Sequence, residues 1–145
     1  MDPEGSEPAP DTAPRPAAGP LRVLALAVQK GGTGKTTLAA SLAVAAAEAG
    51  EQVTALDLDP QGSLAGWGAL RKNDGRSGSD AVAVDRVQPW EMGQLSEILG
   101  ILAEQGTTLA VLDTAGSASG LAPALKDADF VLMPVRPSRL DIVAA

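Results

Sequence analysis

The sequence predicts an α/β fold in which a mainly parallel, doubly wound sheet carries helices on both faces. Three observations predict it. Short apolar runs alternate with stretches of helical periodicity, a glycine-rich octet follows directly on the first apolar run, and two later runs end in carboxylates. With 145 residues the chain has the length of one domain able to bury a proper core.

The first twenty residues stand apart. They hold six of the eleven prolines, with Ala, Gly and acidic residues between them, and read as a disordered tail. The tail lacks the basic start and apolar centre of a secretion signal. The fold is then expected over residues 21–145. Leu21 to Val28 is apolar except for Arg22, as in a strand covered on both faces. Thr36 to Ala49 is an Ala-rich helix, apolar nearly all round and hence expected to be buried, with Gly50 as its C-cap. Gln52 to Leu58 reads as a second strand and Ser63 to Lys72 as a short helix, with Trp67 and Leu70 turned inward.

After a polar loop from Asn73 to Asp80, Ala81 to Val87 is the candidate third strand. Pro89 is placed to open a helix reaching Glu104, with Leu95, Ile98, Leu99 and Leu102 on one face. Gly93 and Gly100 each weaken that helix by about 1 kcal/mol. Thr108 to Asp113 and Asp129 to Val135 complete the strands, around a short helix at Leu121 to Lys126. No internal repeat is present. In such sheets ligands bind beyond the carboxyl ends of the strands.

Composition narrows the chemistry. The chain has no Cys and no His, which removes disulfides, thiolate and imidazole metal sites, iron–sulfur ligation and histidine acid–base catalysis. The lack of Cys suits a cytoplasmic protein. One Phe, two Trp and no Tyr make a poor platform for stacking bases. The net charge is −7, and the tail, with Asp2, Glu4, Glu7 and Asp11 against Arg15 alone, leaves −4 on the body. An acidic body is a weak candidate for duplex binding, which rests on Lys and Arg. No uninterrupted apolar run approaches the roughly 18 residues of a membrane span.

The octet Lys30-Gly31-Gly32-Thr33-Gly34-Lys35-Thr36-Thr37 lies between the first strand and the first helix. Its glycines allow several backbone N–H groups to approach one anion, and the helix adds the positive end of its dipole. Lys35 is placed to reach the β- and γ-phosphates of a nucleotide, and the Thr36 hydroxyl to ligate Mg²⁺. The common phosphate-binding loop, G-x-x-x-x-G-K-[ST], needs a glycine five residues before Gly34, where Gln29 stands. A second lysine, Lys30, occupies the mouth of the loop instead. A P-loop NTPase-like fold follows from this placement.

Two carboxylate segments accompany the octet. In Ala55-Leu56-Asp57-Leu58-Asp59-Pro60-Gln61-Gly62, alternation puts Asp57 and Asp59 on one side, near the phosphates if the first two strands are close neighbours. A carboxylate there can hold water on Mg²⁺ or orient the attacking water; the plainer reading is a pair of Asp residues capping a loop before Pro60. In Leu109-Ala110-Val111-Leu112-Asp113-Thr114-Ala115-Gly116, four apolar residues precede Asp113, the Walker B arrangement for binding Mg²⁺ through water.

The K-G-G-x-G-K-T-T octet resembles the deviant Walker A loop of the ParA/MinD family of ATPases, and the D-x-D-P-Q-G string is similar to the segment after that family's second strand. Ala128 to Asp141 looks like the late strand and turn of the small ParA subgroup that lacks an N-terminal DNA-reading domain; Ser138 and Asp141 there are equally well read as architectural. The resemblance covers about residues 21 to 145. It implies Mg-ATP as ligand, an ATP-dependent sandwich homodimer in which Lys30 reaches the partner's nucleotide, Asp59 as the carboxylate tied to hydrolysis, and Asp57 as support for the metal site. It also implies a ParB-type centromere-binding partner, non-specific DNA binding by the dimer, and positioning of plasmid, chromosome or other cargo.

The family pattern differs after Asp113, where prolines are usual and this chain has Ala115 and Gly116. Asp-Thr-Ala-Gly is similar to the GTPase switch, in which the N–H of a glycine at the place of Gly116 senses the γ-phosphate. No Asn-Lys-x-Asp string for reading guanine occurs. Family members continue beyond the position of Ala145 for another strand and several helices, which carry adenine recognition and, in many, DNA-contacting basic residues; the domain is expected to be truncated relative to them. Two alternatives to the ParA-like ATPase therefore stand: a MinD-like or GTP-using relative, and a non-catalytic module that retains the fold.

Overall fold

The computed structural model describes residues 19–28, 34–73 and 82–135. Their order is β1 (Arg22–Leu26), α1 (Lys35–Glu48), β2 (Val53–Asp57), α2 (Ser63–Asn73), β3 (Ala83–Arg86), a 3-10 segment (Pro89–Gln94), α3 (Leu95–Glu104), β4 (Leu109–Asp113), α4 (Ala118–Asp127) and β5 (Phe130–Leu132). The five strands form one sheet in the order β3-β2-β4-β1-β5, and every pairing is parallel. The tail to residue 18, most of the expected loop at 74–81, residues 29–33 of the octet region and residues 136–145 lie outside the described part.

Two apolar cores, one on each face, follow from strand alternation. Leu26, Val53, Ala55 and Val111 point toward α1 and α2, where Ala39, Ala43, Ala47 and Leu64 meet them. Val23, Ala25, Leu56, Ala110 and Leu112 point the other way, onto Leu95, Leu99 and Leu102 of α3 and Ala124 of α4. The doubly wound architecture expected from the sequence is therefore present in these five strands.

The alanines at every fourth position of α1 let its backbone lie close to the sheet. They are also the only apolar residues of the helix that are buried, so α1 is not sunk all round as its composition suggested. Thr36, Thr37, Ala40, Ser41, Val44, Ala45 and Glu48 line an open cleft with Trp67 of α2. The helix closes as expected, with Gly50 at φ 98° and its N–H donating to Ala47 O while the Glu51 N–H donates to Ala46 O.

Three further expectations are corrected. Leu70 is 67% exposed rather than packed inward; Trp67 alone turns toward the core, with the Arg71 guanidinium 5.0 Å from its ring centre. The segment after Pro89 is not one helix: Pro89–Gln94 is 3-10, and the α-helix begins at Leu95. Gly93 falls in the tighter piece, where Gln88 and Glu91 form a capping box. The fourth helix starts at Ala118, three residues before its expected Leu121.

At the far edge β5 comprises Phe130–Leu132, shorter than the expected 129–135. It hydrogen-bonds to β1 alone among the described strands, and Phe130 is 61% exposed.

Close approach of α2 to β3 depends on Gly68, since a Cβ there would lie 2.5 Å from Cβ of Val84. Gly68→Ala is therefore expected to lower stability by about 1–3 kcal/mol through overpacking. Urea unfolding should show a midpoint lower than that of wild type.

Candidate functional site

Parallel register brings three strand ends into one row. Leu26 of β1 and Asp57 of β2 both pair with Asp113 of β4, which lies between them. The first two strands are thus not direct neighbours, and β4 is what joins their ends. Asp57 and Asp113 share the strand parity of Ala55 and Val111, which face α1. Backbone bonds fix the row further: the Leu58 N–H donates to Asp113 O at 2.9 Å, and the Thr114 hydroxyl donates to Leu26 O at 2.6 Å.

The first turn of α1 meets this row. Gly34 is the N-cap in the left-handed region (φ 78°, ψ 17°), a conformation that favours glycine, and no side chain caps the helix. The first N–H groups of a helix, which have no partner within it, are suited to an anion. Lys35 is 8% exposed, and its ammonium donates to Asp113 Oδ1. The Thr36 hydroxyl donates to Asp113 Oδ2 at 2.7 Å. Asp113 itself is 0% exposed, so both of its oxygens are held by the two residues of the Lys-Thr pair.

Asp57, equally buried, has a different environment. Its Oδ1 accepts the Asp59 N–H at 3.0 Å and its Oδ2 accepts the Ala65 N–H at 2.8 Å. These bonds clamp both ends of the turn that links β2 to α2. Burial raises the carboxyl pKa above its ordinary value; the two N–H donors oppose that shift, and the charges of Asp113 and Asp59 add to it. Within the turn, Asp59 Oδ1 accepts the Gln61 N–H at 3.0 Å, and Asp59 O accepts the Gly62 N–H at 2.9 Å. Asp59 is half-buried.

The sequence-derived residues therefore divide. Lys35, Thr36 and Asp113 are in direct contact, Asp57 lies one strand away in the same row, and Asp59 follows on its turn. Gly116 is exposed just past β4, and Thr37 is exposed, its carbonyl accepting from Ser41. Lys30, Gly31, Gly32 and Thr33 lie outside the described residues, as do Ser138 and Asp141. Two residues with structural consequences drew no attention in the sequence. Thr114 had only its place after a strand-end Asp to mark it. Arg86 had only its place at the carboxyl end of a strand; its guanidinium donates to the Pro60 carbonyl on the Asp59 turn.

The donor set fits the ligands that the octet implies. A hydroxyl and a carboxylate, both hard oxygen donors, stand 2.7 Å apart beside an uncapped helix start, as a Mg²⁺–phosphate group requires.

Comparison with known proteins agrees. Residues 24–140 match the model of the CobQ/CobB/MinD/ParA nucleotide binding domain, and the chain belongs to that family. It is 38% identical, over 83% of its own length and 52% of the relative's, to a maintenance of carboxysome distribution protein A from Gloeobacter kilaueensis. Over a shorter stretch, 32% of this chain and 17% of the relative, it is 61% identical to the chromosome partitioning protein ParA of Caulobacter vibrioides. Among solved structures, a plasmid partition protein of Borrelia burgdorferi bound to AMPPNP shares the fold, with TM-score 0.70 and 19% identity, over 87% of this chain and 67% of that one. The MinD cell division protein of Aquifex aeolicus does so with TM-score 0.64 and 24% identity, over 86% and 60%. The chain spans about half the length, or less, of the curated relatives it matches.

The Asp57 environment predicts a pH effect of known sign. A folded-state pKa raised above 3.8 means that the native state holds this proton more tightly than the unfolded chain. Stability should fall as pH rises from about 3.8 through the raised value, then level off. Asp57→Asn removes that titration. Thermal melts across the acid range should therefore show wild type losing stability relative to the variant as pH rises, with a constant difference above it.

Proposed function

We propose that this chain is a ParA-like ATPase domain that binds Mg-ATP and hydrolyses it within a sandwich homodimer, to position plasmid, chromosome or other cargo. The observation that carries the reading is the convergence of Lys35 and Thr36 on Asp113 at the carboxyl end of the sheet. Relatives described as partitioning and positioning proteins support it.

In this reading the α1 start and Lys35 receive the phosphates. Lys35 exchanges one anion, the Asp113 carboxylate, for another, and so leaves Asp113 free to act with Thr36 on Mg²⁺. When bound, Mg²⁺ neutralises charge developing on the phosphate oxygens. The ion would be held by Thr36 and, through water, by Asp113, with Asp57 in support through the lone pairs its backbone donors leave open. Asp59 orients the attacking water, and the Gly116 N–H senses the terminal phosphate. Lys30 acts across the dimer, with Gly31, Gly32, Thr33, Gly34 and Thr37 completing the loop around the phosphates.

Partners under this proposal are a second copy of the chain, a ParB-type centromere-binding protein and non-specific DNA. No helix among the described residues is long and apolar enough to cross a membrane. The ATPase domain under this proposal is assigned to residues 21 to 145. A second reading is nucleotide binding without turnover by a module that retains the fold.

Calorimetric titration with Mg-ATP and Mg-GTP, followed by a phosphate-release assay, separates these readings. ATP-selective binding with slow turnover supports the proposal; binding without release supports the second reading, and GTP selectivity overturns the nucleotide assignment. Lys35→Ala should weaken nucleotide binding by about 100-fold or more, the loss of a charge-assisted anchor. Asp59→Ala should keep binding while turnover falls by about 100-fold or more. Lys30→Ala should keep monomer binding and lose dimer-dependent activity, read by sedimentation with and without ATP.

A further inference from the structure

We propose that Arg86 is a positioning residue that holds the Asp59 turn in its working geometry, a role resting on the hydrolysis reading above. The turn is tied on its inner side by Asp57, which accepts from the backbone of Asp59 and Ala65. Nothing in that clamp holds the outer residues, Pro60 to Gly62. Arg86 does so from the neighbouring strand, its Nη2 donating to the Pro60 carbonyl oxygen.

The same guanidinium lies close beside Gly62. A Cβ placed on Gly62 would meet Arg86 Nη1 at 3.1 Å and Cζ at 3.2 Å, so the absence of a side chain there is what admits the contact. Gly62 also adopts φ 69°, a second reason for glycine at this position. Arg86 is well anchored to play this part. It is in register with Asp57 across the β2–β3 ladder, and the next residue, Val87, donates its N–H to Asp57 O at 2.9 Å. On the same face of β3, Val84 packs closely against Gly68 of α2, so strand and helix hold both sides of the turn as one unit.

A planar guanidinium can donate to a carbonyl and cover a glycine together, whereas an ammonium does only the first. Displacing Pro60 would move Asp59, its immediate neighbour, and a shift of about 1 Å at a water-orienting group is worth up to about 100-fold in rate. Binding of the phosphates at Lys35 and Thr36 does not pass through this turn, so affinity and turnover should separate.

The test compares wild type, Arg86→Lys and Arg86→Met as full chains. Amide hydrogen exchange at Gln61 and Gly62, whose N–H groups bond to Asp59, reads the turn without any need for hydrolysis. Exchange there should quicken about tenfold in Arg86→Met, with α1 amides unchanged and Arg86→Lys intermediate. Single-turnover hydrolysis should slow about tenfold or more in the same order, with Mg-ATP affinity within about twofold of wild type. Unchanged exchange overturns the tether. Faster exchange with unaltered hydrolysis overturns its catalytic consequence, as does a loss of affinity equal to the loss of rate. A wild-type chain inert toward Mg-ATP would refute the hydrolysis reading by itself, and the exchange comparison would still decide whether Arg86 holds the turn.

Discussion

Lys35 and Asp113 are buried together at the end of the strand that lies in the middle of the sheet. A buried charge without its partner is costly by several kcal/mol, so neither residue is tolerable there alone. Much of the surrounding architecture serves their meeting. Parallel pairing of β4 with both β1 and β2 brings Asp113 to the level where α1 begins. The alanine stripe of α1 seats the helix close to the sheet, and the left-handed Gly34 turns the chain into it. Thr36 takes the remaining carboxylate oxygen, leaving neither one without a donor.

The two buried carboxylates of the row illustrate how environment divides labour between like residues. Asp113 faces a cation and a hydroxyl, partners that a phosphate and a metal ion can displace. Asp57 faces backbone N–H groups, partners that fold the turn beneath Asp59. The first arrangement suits exchange of ligands and the second suits rigidity. Burial, with the charges of Asp113 and Asp59 adding to it, is also why the Asp57 proton is held more tightly than usual.

Much of this was legible in the sequence, where local rules and tertiary demands agree. Strand positions, the parallel alternation and the C-cap at Gly50 follow from periodicity and from glycine chemistry. The boundaries and facings that differed did so where neighbours decide. Leu70 has helical spacing suited to packing, yet α2 turns Trp67 rather than Leu70 to the core. Pro89 is a good helix opener, yet the capping box of Gln88 and Glu91 closes a tighter turn first. An alanine-rich helix reads as buried because composition carries no direction; only the packed sheet shows that Ala39, Ala43 and Ala47 are the inner side.

The sequence by itself determined the α/β class, because apolar runs of strand length alternate with stretches of helical spacing whatever surrounds them. It also placed three carboxylates at strand ends. Strand order was decided by tertiary structure alone. The insertion of β4 between β1 and β2 makes Asp113, rather than Asp57, the partner of Lys35. Pairing of β3 with the other edge of β2 brings Arg86, from a strand that carries no motif, onto the Asp59 turn. Hydrogen bonds between strands distant in sequence have no local signature, so which side chains meet is settled only when the sheet assembles.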